Sequence, residues 1–295
     1  MQRVPIQQMI TIAKIEEMIT WRPRRMRLNS EWPTPLHEPT SMGKDWALVL
    51  PFSETLGNAF NAMCDVDSIG LRESKGRCWT YLNNSNRDDT IVSKVRKWLE
   101  IIGEYVAIRD CLALSFALDY DRKNGDPSKL QTKIGSLRIK AKPYDSNMKP
   151  DMKAADALIE ECMQFLQNMS CYERADVVVA MPPSDPSRPF KLSEYLAVGI
   201  AKLWKKPNLT SFIQTIHPRQ SLKHKELKQK LPTLKGTIKF RNDCFKGKTV
   251  LIVDDLYQSG VSINYLASML MKVGAKCVFG LACDKTCTND DNIGE

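Results

Sequence analysis

The 295-residue sequence predicts an α/β protein: a doubly wound, mostly parallel sheet preceded by a mainly helical N-terminal region. Three observations lead there. After residue 130, short unbroken apolar runs alternate with segments whose apolar residues step by three and four, the order of a parallel sheet covered by helices. One of those runs ends in the adjacent aspartates Asp254 and Asp255, followed by a Ser-Gly turn and a further helix. Before residue 130, the strongest periodicity is helical. An apolar content of 43% suffices for a sizeable core. No apolar run approaches the roughly 18–20 residues that span a bilayer, so no membrane partner is expected.

Taken in order, residues 6–20 predict a short amphipathic helix. Residues 21–45 predict an irregular arm, because Pro23, Pro33, Pro35 and Pro39 interrupt it. The arm carries the basic run Trp21 to Arg27. Leu48 to Leu50 suggests a short strand and Asn83 to Asn86 a loop. From Ile91 to Leu118 the apolar positions Ile91, Val95, Trp98, Ile102, Tyr105 and Val106 begin a helical spacing that turns wholly apolar after Ile108, so a long helix is expected there. Its apolar surface forms the N-terminal core or docks a partner or a second copy of the chain. A break at Asn124-Gly125-Asp126-Pro127 suggests a boundary, giving an N-terminal region over 1–130, an α/β domain over 131–285 and a polar tail over 286–295.

Within the α/β part, strands are expected at 135–142, 177–181, 209–216, 249–253 and 277–283. Helices are expected at 151–169, 192–203 and 263–273. Val177 to Met181, closed by Pro182-Pro183, reads as a buried parallel strand. Gly274 ends the last helix.

Charge is concentrated. The formal net charge is +9, and residues 219–248 alone carry ten basic and two acidic groups. Such a stretch is either a solvated loop or a contact for phosphate-bearing partners, small polyphosphates or nucleic acid. Trp21–Arg27 offers a second contact for nucleic acid. The nine cysteines include no CxxC pair and there are only three histidines, so a zinc ribbon is not expected. Cys111, Cys162 and Cys277 lie in apolar patterns and read as small buried hydrophobes. With no signal-peptide pattern at Met1–Lys14, this places the chain in a reducing compartment, the cytoplasm.

The chemistry concentrates in Val250-Leu251-Ile252-Val253-Asp254-Asp255-Leu256-Tyr257-Gln258-Ser259-Gly260-Val261-Ser262. Adjacent carboxylates at the end of a buried strand repel one another and cost desolvation, so they call for a cation or hydroxyl partners. The small residues after them lead into a helix N-terminus, where free N–H groups favour a phosphate. A sugar phosphate satisfies both halves.

This segment resembles the phosphoribosyl pyrophosphate (PRPP) motif of type I phosphoribosyltransferases, with Gln258 where a Thr is usual. Asp176 to Ser184 followed by Arg188, and Lys133 to Tyr144 with its Lys-Pro-Tyr end, are similar to segments of the ComF-like branch. Arg219 to Lys225 falls where that family has a mobile active-site loop. The resemblance covers about residues 130–285 and lacks the zinc ribbon with which ComF relatives usually begin. It implies that Asp254 and Asp255 are the catalytic pair, holding the ribose hydroxyls directly or through Mg²⁺. Leu256, Tyr257, Gln258, Ser259, Gly260, Val261 and Ser262 would then wrap the 5′-phosphate. Ser184, Arg188 and Lys223 or Lys225 would meet the pyrophosphate. The implied activity is Mg²⁺-dependent transfer or cleavage at the ribose anomeric carbon of PRPP or a nucleotide. The alternative is a nucleic-acid-linked protein, in DNA uptake or retron-type antiphage defence, that uses the fold as a nucleotide-sensing module.

Overall fold

The computed structural model describes residues 5–40, 45–64, 72–74, 77–82, 89–142, 149–216, 222, 225–241 and 244–287. The chain runs α1 (Ile12–Met18), β1 (Arg25–Met26), α2 (Leu28–Glu31), β2 (Leu36–His37), β3 (Trp46–Leu50), α3 (Leu56–Cys64), β4 (Arg72–Ser74) and β5 (Arg77–Leu82). It continues through α4 (Asp89–Gly103), β6 (Val106–Ile108) and β7 (Leu114–Tyr120). Then come α5 (Lys133–Ala141), α6 (Met152–Asn168), β8 (Val177–Ala180), α7 (Leu192–Trp204), β9 (Ile213–Thr215), α8 (Leu227–Leu234) and β10 (Ile238–Phe240). The last three elements are β11 (Thr249–Tyr257), α9 (Val261–Lys272) and β12 (Cys277–Lys285).

The main sheet has the order β1-β6-β7-β12-β11-β8. β7, β12, β11 and β8 are mutually parallel, and β6 and β1 add antiparallel at one edge. β11 and β12 are buried along nearly their whole length, as interior strands with both faces covered must be. One core cluster holds α4, α6 and α7 with Leu251, Val253, Phe279 and Leu281, and the other holds α1, α8 and α9 with Val250, Ile252 and Val278. The alternation along β11 thus divides the two layers. A second, four-stranded antiparallel sheet has the order β2-β3-β5-β4, and β9 pairs with β10.

Local chemistry sets the helix ends. Asp151 caps α6 by accepting from the Ala154 N–H at 3.1 Å, and Thr132 caps α5 by accepting from the Gly135 N–H at 3.0 Å. Lys205, in a left-handed conformation, closes α7. The expected helices at 151–169, 192–203 and 263–273 correspond to α6, α7 and α9, and the strands at 177–181, 249–253 and 277–283 to β8, β11 and β12.

Several expectations are corrected. The helix expected over 91–118 stops at Gly103 and gives way to β6 and β7. The apolar run after Ile108 is a strand buried between β6 and β12, a setting that erases the two-residue alternation and mimics a buried helix. The stretch 135–142 is the helix α5 rather than a strand, fixed by its Thr132 cap. The region before residue 130 is mixed, because among the described residues seven strands precede that position. Its β7 lies in the middle of the main sheet, so strands from both sides of the expected boundary share one sheet. The expected 6–20 helix is shortened to α1, and the strand at 209–216 to β9.

The arm expected to be irregular carries, over its described residues 21–40, the short elements β1, α2 and β2. β1 pairs with β6, Arg25 lies 4.5 Å from the Tyr120 ring centroid, and Arg27 pairs with Asp119. Its cations are largely engaged within the protein. The cationic stretch 219–248 contains α8 and β10, with Leu231, Leu234, Ile238 and Phe245 in the core and Lys230 buried. The Asn83–Asn86 loop, Lys223 and residues 288–295 of the tail lie outside the described residues. Among the described residues no helix is long and apolar enough to cross a membrane. Cys162 and Cys277 are buried and Cys111 is half-buried, all as free thiols.

Candidate functional site at the carboxyl ends of the parallel strands

Asp254 and Asp255 occupy the carboxyl end of β11, flanked by β8 and β12. Strand alternation sends their side chains in opposite directions, and a hydroxyl from α7 gathers them. Ser193 Oγ donates to Asp255 Oδ1 at 2.9 Å and lies 3.2 Å from Asp254 Oδ1. The Asp255 N–H also donates to Asp254 Oδ1, at 2.9 Å. Lys142, at the end of α5, places Nζ 2.6 Å from Asp255 Oδ2. Asp255 is therefore fully engaged, while Asp254 stays partly exposed.

These surroundings separate the two acids. Burial and the neighbouring Asp255 charge push Asp254 up to about 7. Burial also works against the charge of Asp255, but the Lys142 ammonium and the Ser193 hydroxyl outweigh it and hold that carboxyl below its ordinary range. A third acid, Asp284 near the end of β12, is buried and paired with Arg138 of α5 at 2.7 Å. Its Oδ1 has no partner, and burial lifts it to about 7.

After β11 the chain turns through Gln258, Ser259 and Gly260 into α9. Gly260 has φ +78°, and a Cβ there would lie 2.1 Å from the Tyr257 hydroxyl oxygen. Tyr257 is buried and donates to Asp110 Oδ2 at 2.8 Å. Burial pushes Asp110 up to about 6, against the donors Leu112 N–H, Ser115 Oγ and Tyr257. Asn264 Nδ2 donates to the Gly260 carbonyl at 2.8 Å, and the buried Arg24 donates to the Ser259 carbonyl. The turn is thus braced by Arg24 just before β1, by Asp110 of the β6–β7 connection and by Asn264 of α9. With its carbonyls engaged, it leaves the N–H groups at the start of a three-turn helix for an anion.

The remaining expected site residues are placed as follows. Leu256, Gln258 and Ser262 are half-buried, and Ser259 and Val261 are buried. Ser184 and Arg188 lie on the β8–α7 connection, with Arg188 exposed. That connection leaves the sheet beside the aspartates, since the Met181 N–H donates to the Val253 carbonyl at 2.8 Å. Lys225 lies on the segment before α8, and its N–H donates to the Leu222 carbonyl at 3.2 Å. No described contact joins Arg188 or Lys225 to the aspartates. A cleft of about 460 Å³ adjoins the connection, lined by Pro183, Lys191, Glu194, Val198, Thr215 and Arg241 among others.

Lys142, Ser193, Arg138, Asp284, Asp110 and Arg24 were not readable as site residues. Each acts across a long sequence separation, 113 residues for Lys142–Asp255 and 146 for Arg138–Asp284. The only signal was the Lys-Pro-Tyr end of the ComF-like resemblance, which contains Lys142.

The aspartates fit a hard divalent cation as oxygen donors, with Asp254 the open one. Mg²⁺ keeps much of its coordination for water and substrate oxygens, so a two-carboxylate contribution is ordinary. Among the described residues no cluster of three His, Cys, Asp or Glu side chains could enclose a metal without such help.

No protein-family model matches the sequence. A search of curated proteins likewise gives no match. Among solved structures, UMP synthase of Leishmania donovani aligns at 17% identity and TM-score 0.26, over 43% of this chain and 22% of that one. The glutamine mutant from an analysis of an invariant aspartic acid in HPRTs aligns at 13% identity and TM-score 0.26, over 50% of this chain and 67% of that one. The alignment therefore spans about a fifth of the first and two thirds of the second.

Proposed function

We propose that the site binds PRPP, or a nucleotide carrying the same ribose 5-phosphate, and that the protein is a Mg²⁺-dependent phosphoribosyltransferase close to the ComF-like branch. The observation that carries this reading is the juxtaposition of Asp254 and Asp255 with the Gly260 turn and the start of α9 on one strand end. Carboxylates suit ribose hydroxyls, and the free N–H groups of the turn suit the 5′-phosphate. The half-buried Ser262 adds a hydroxyl to that cradle. Ser184, Arg188 and the cationic segment containing Lys223 and Lys225 would meet the pyrophosphate.

In transfer from PRPP the anomeric C–O bond breaks, pyrophosphate leaves, and positive charge grows on the ribose. The carboxylates near the sugar stabilise that charge, and the cationic side chains stabilise the departing anion. Mg²⁺, when bound, supplies charge neutralisation of the pyrophosphate. Lys142 acts as the internal counter-ion that keeps Asp255 ionised.

The test is pyrophosphate release from PRPP with a panel of bases and with water. Release is expected in the wild type, and at least a ~100-fold loss in Asp254→Asn and Asp255→Asn. Tight PRPP binding without turnover on any acceptor would move the assignment to the sensing module. Absence of both binding and turnover would end it.

A further inference from the structure

The four-stranded sheet of the N-terminal region has two chemically different faces. Along β5, Cys78, Thr80 and Leu82 are buried, whereas Arg77 and Tyr81 are exposed and Trp79 is half-buried. Successive strand residues point to opposite faces, so residues 77, 79 and 81 share the outward one. β3 repeats the pattern, with Leu48 and Leu50 in the core. Among the described residues, Val49, Trp79 and Tyr81 belong to neither core cluster.

The register arranges this face in rows. Arg72, Trp79 and Val49 stand side by side across three strands, and Tyr81, Ala47 and the exposed His37 across the next set. Arg72 is exposed, and the Arg77 guanidinium lies 5.3 Å from the centroid of the Trp32 ring. A solvated sheet face ordinarily carries polar side chains. Here an interior strand presents two aromatic rings, the half-buried Trp79 and Tyr81, 42% exposed, with Arg77 two residues before Trp79 and Arg72 across from it.

Open rings at strand spacing suit bases, and guanidinium groups beside them suit the phosphates that link those bases. An acidic peptide would use the arginines and leave the rings without flat partners. We propose that the outward face of β3, β5 and β4 binds single-stranded nucleic acid. This surface is separate from the aspartate site and does not depend on its assignment. It also differs from the 219–248 stretch, whose aromatics Phe240 and Phe245 meet edge-to-face, 5.5 Å between centroids, with Phe245 buried.

The test is fluorescence anisotropy of labelled oligothymidylate and oligouridylate with the full chain, over about 50 to 200 mM salt. Trp79→Ala/Tyr81→Ala is expected to weaken binding about tenfold or more, and Trp79→Phe/Tyr81→Phe by no more than about threefold. Because the phenylalanine pair keeps an aromatic ring at each position, it separates stacking from any loss of fold, which circular dichroism checks in parallel. Arg72→Gln/Arg77→Gln should lower both affinity and salt dependence. A duplex of the same length should compete at least about tenfold less well. Unchanged affinity in the alanine pair, equal competition by duplex, displacement by polyglutamate at matched charge, or no wild-type binding would each overturn the proposal.

Discussion

A methyl group at Gly260 would need φ near +78° and would meet the Tyr257 hydroxyl oxygen at 2.1 Å. Gly260→Ala is therefore expected to cost about 1–3 kcal/mol in urea denaturation and to weaken ribose 5-phosphate binding. Unchanged stability and binding would show that the turn is not fixed by its contact with Tyr257. Asp254 makes a prediction about pH. Its folded-state value of about 7 lies above the ordinary 3.8. A group raised in this way contributes stability that is present below about pH 4 and lost as pH rises towards 7. Asp254→Asn should therefore be more stable than wild type at pH 8, by about 1–3 kcal/mol, with the difference shrinking to nothing near pH 4. A variant less stable than wild type at pH 8 contradicts this.

At the level of elements, β1 is a two-residue strand with a long reach. It docks on β6, and its neighbour Arg24 crosses to the Ser259 carbonyl 235 residues away. Arg24→Met is expected to cost about 1–3 kcal/mol by leaving that buried carbonyl unpaired. Hydrogen exchange should quicken at residues 258–260 more than in β8. Equal exchange in both proteins would remove the bracing role. This contact also marks where sequence reading ends. The strand-turn-helix unit of β11 and α9 was legible because a buried parallel strand, paired acids, a glycine and a periodic helix occur within one short window. β7 was not legible, because an interior strand and a buried helix carry the same unbroken apolar residues. α5 was misread for lack of a clear period, and only the Thr132 cap reveals it. The ion pairs Lys142–Asp255 and Arg138–Asp284 depend on tertiary closure, which leaves no local trace.

For the whole molecule, the main sheet unites the two halves that the Asn124–Pro127 break seemed to divide. β7 lies between β6 and β12, so residues 131–285 without it would expose the apolar edge of β12. A fragment of residues 131–285 is expected to show no cooperative thermal transition by circular dichroism, whereas the full chain does. A cooperatively folding fragment would establish an independent unit. The charge of the chain also takes on a location. The stretch 219–248, with its excess of basic over acidic residues, carries α8, which packs on α9.

The most direct measurement is calorimetric titration of the full chain with PRPP in the presence of Mg²⁺, alongside Asp254→Asn/Asp255→Asn. Saturable one-site binding is expected in the wild type. It should weaken as pH falls below about 7, because Asp254 must release its proton, and should be abolished in the double variant. Binding of equal strength in wild type and double variant, or no binding by the folded wild-type protein at any pH, would contradict it.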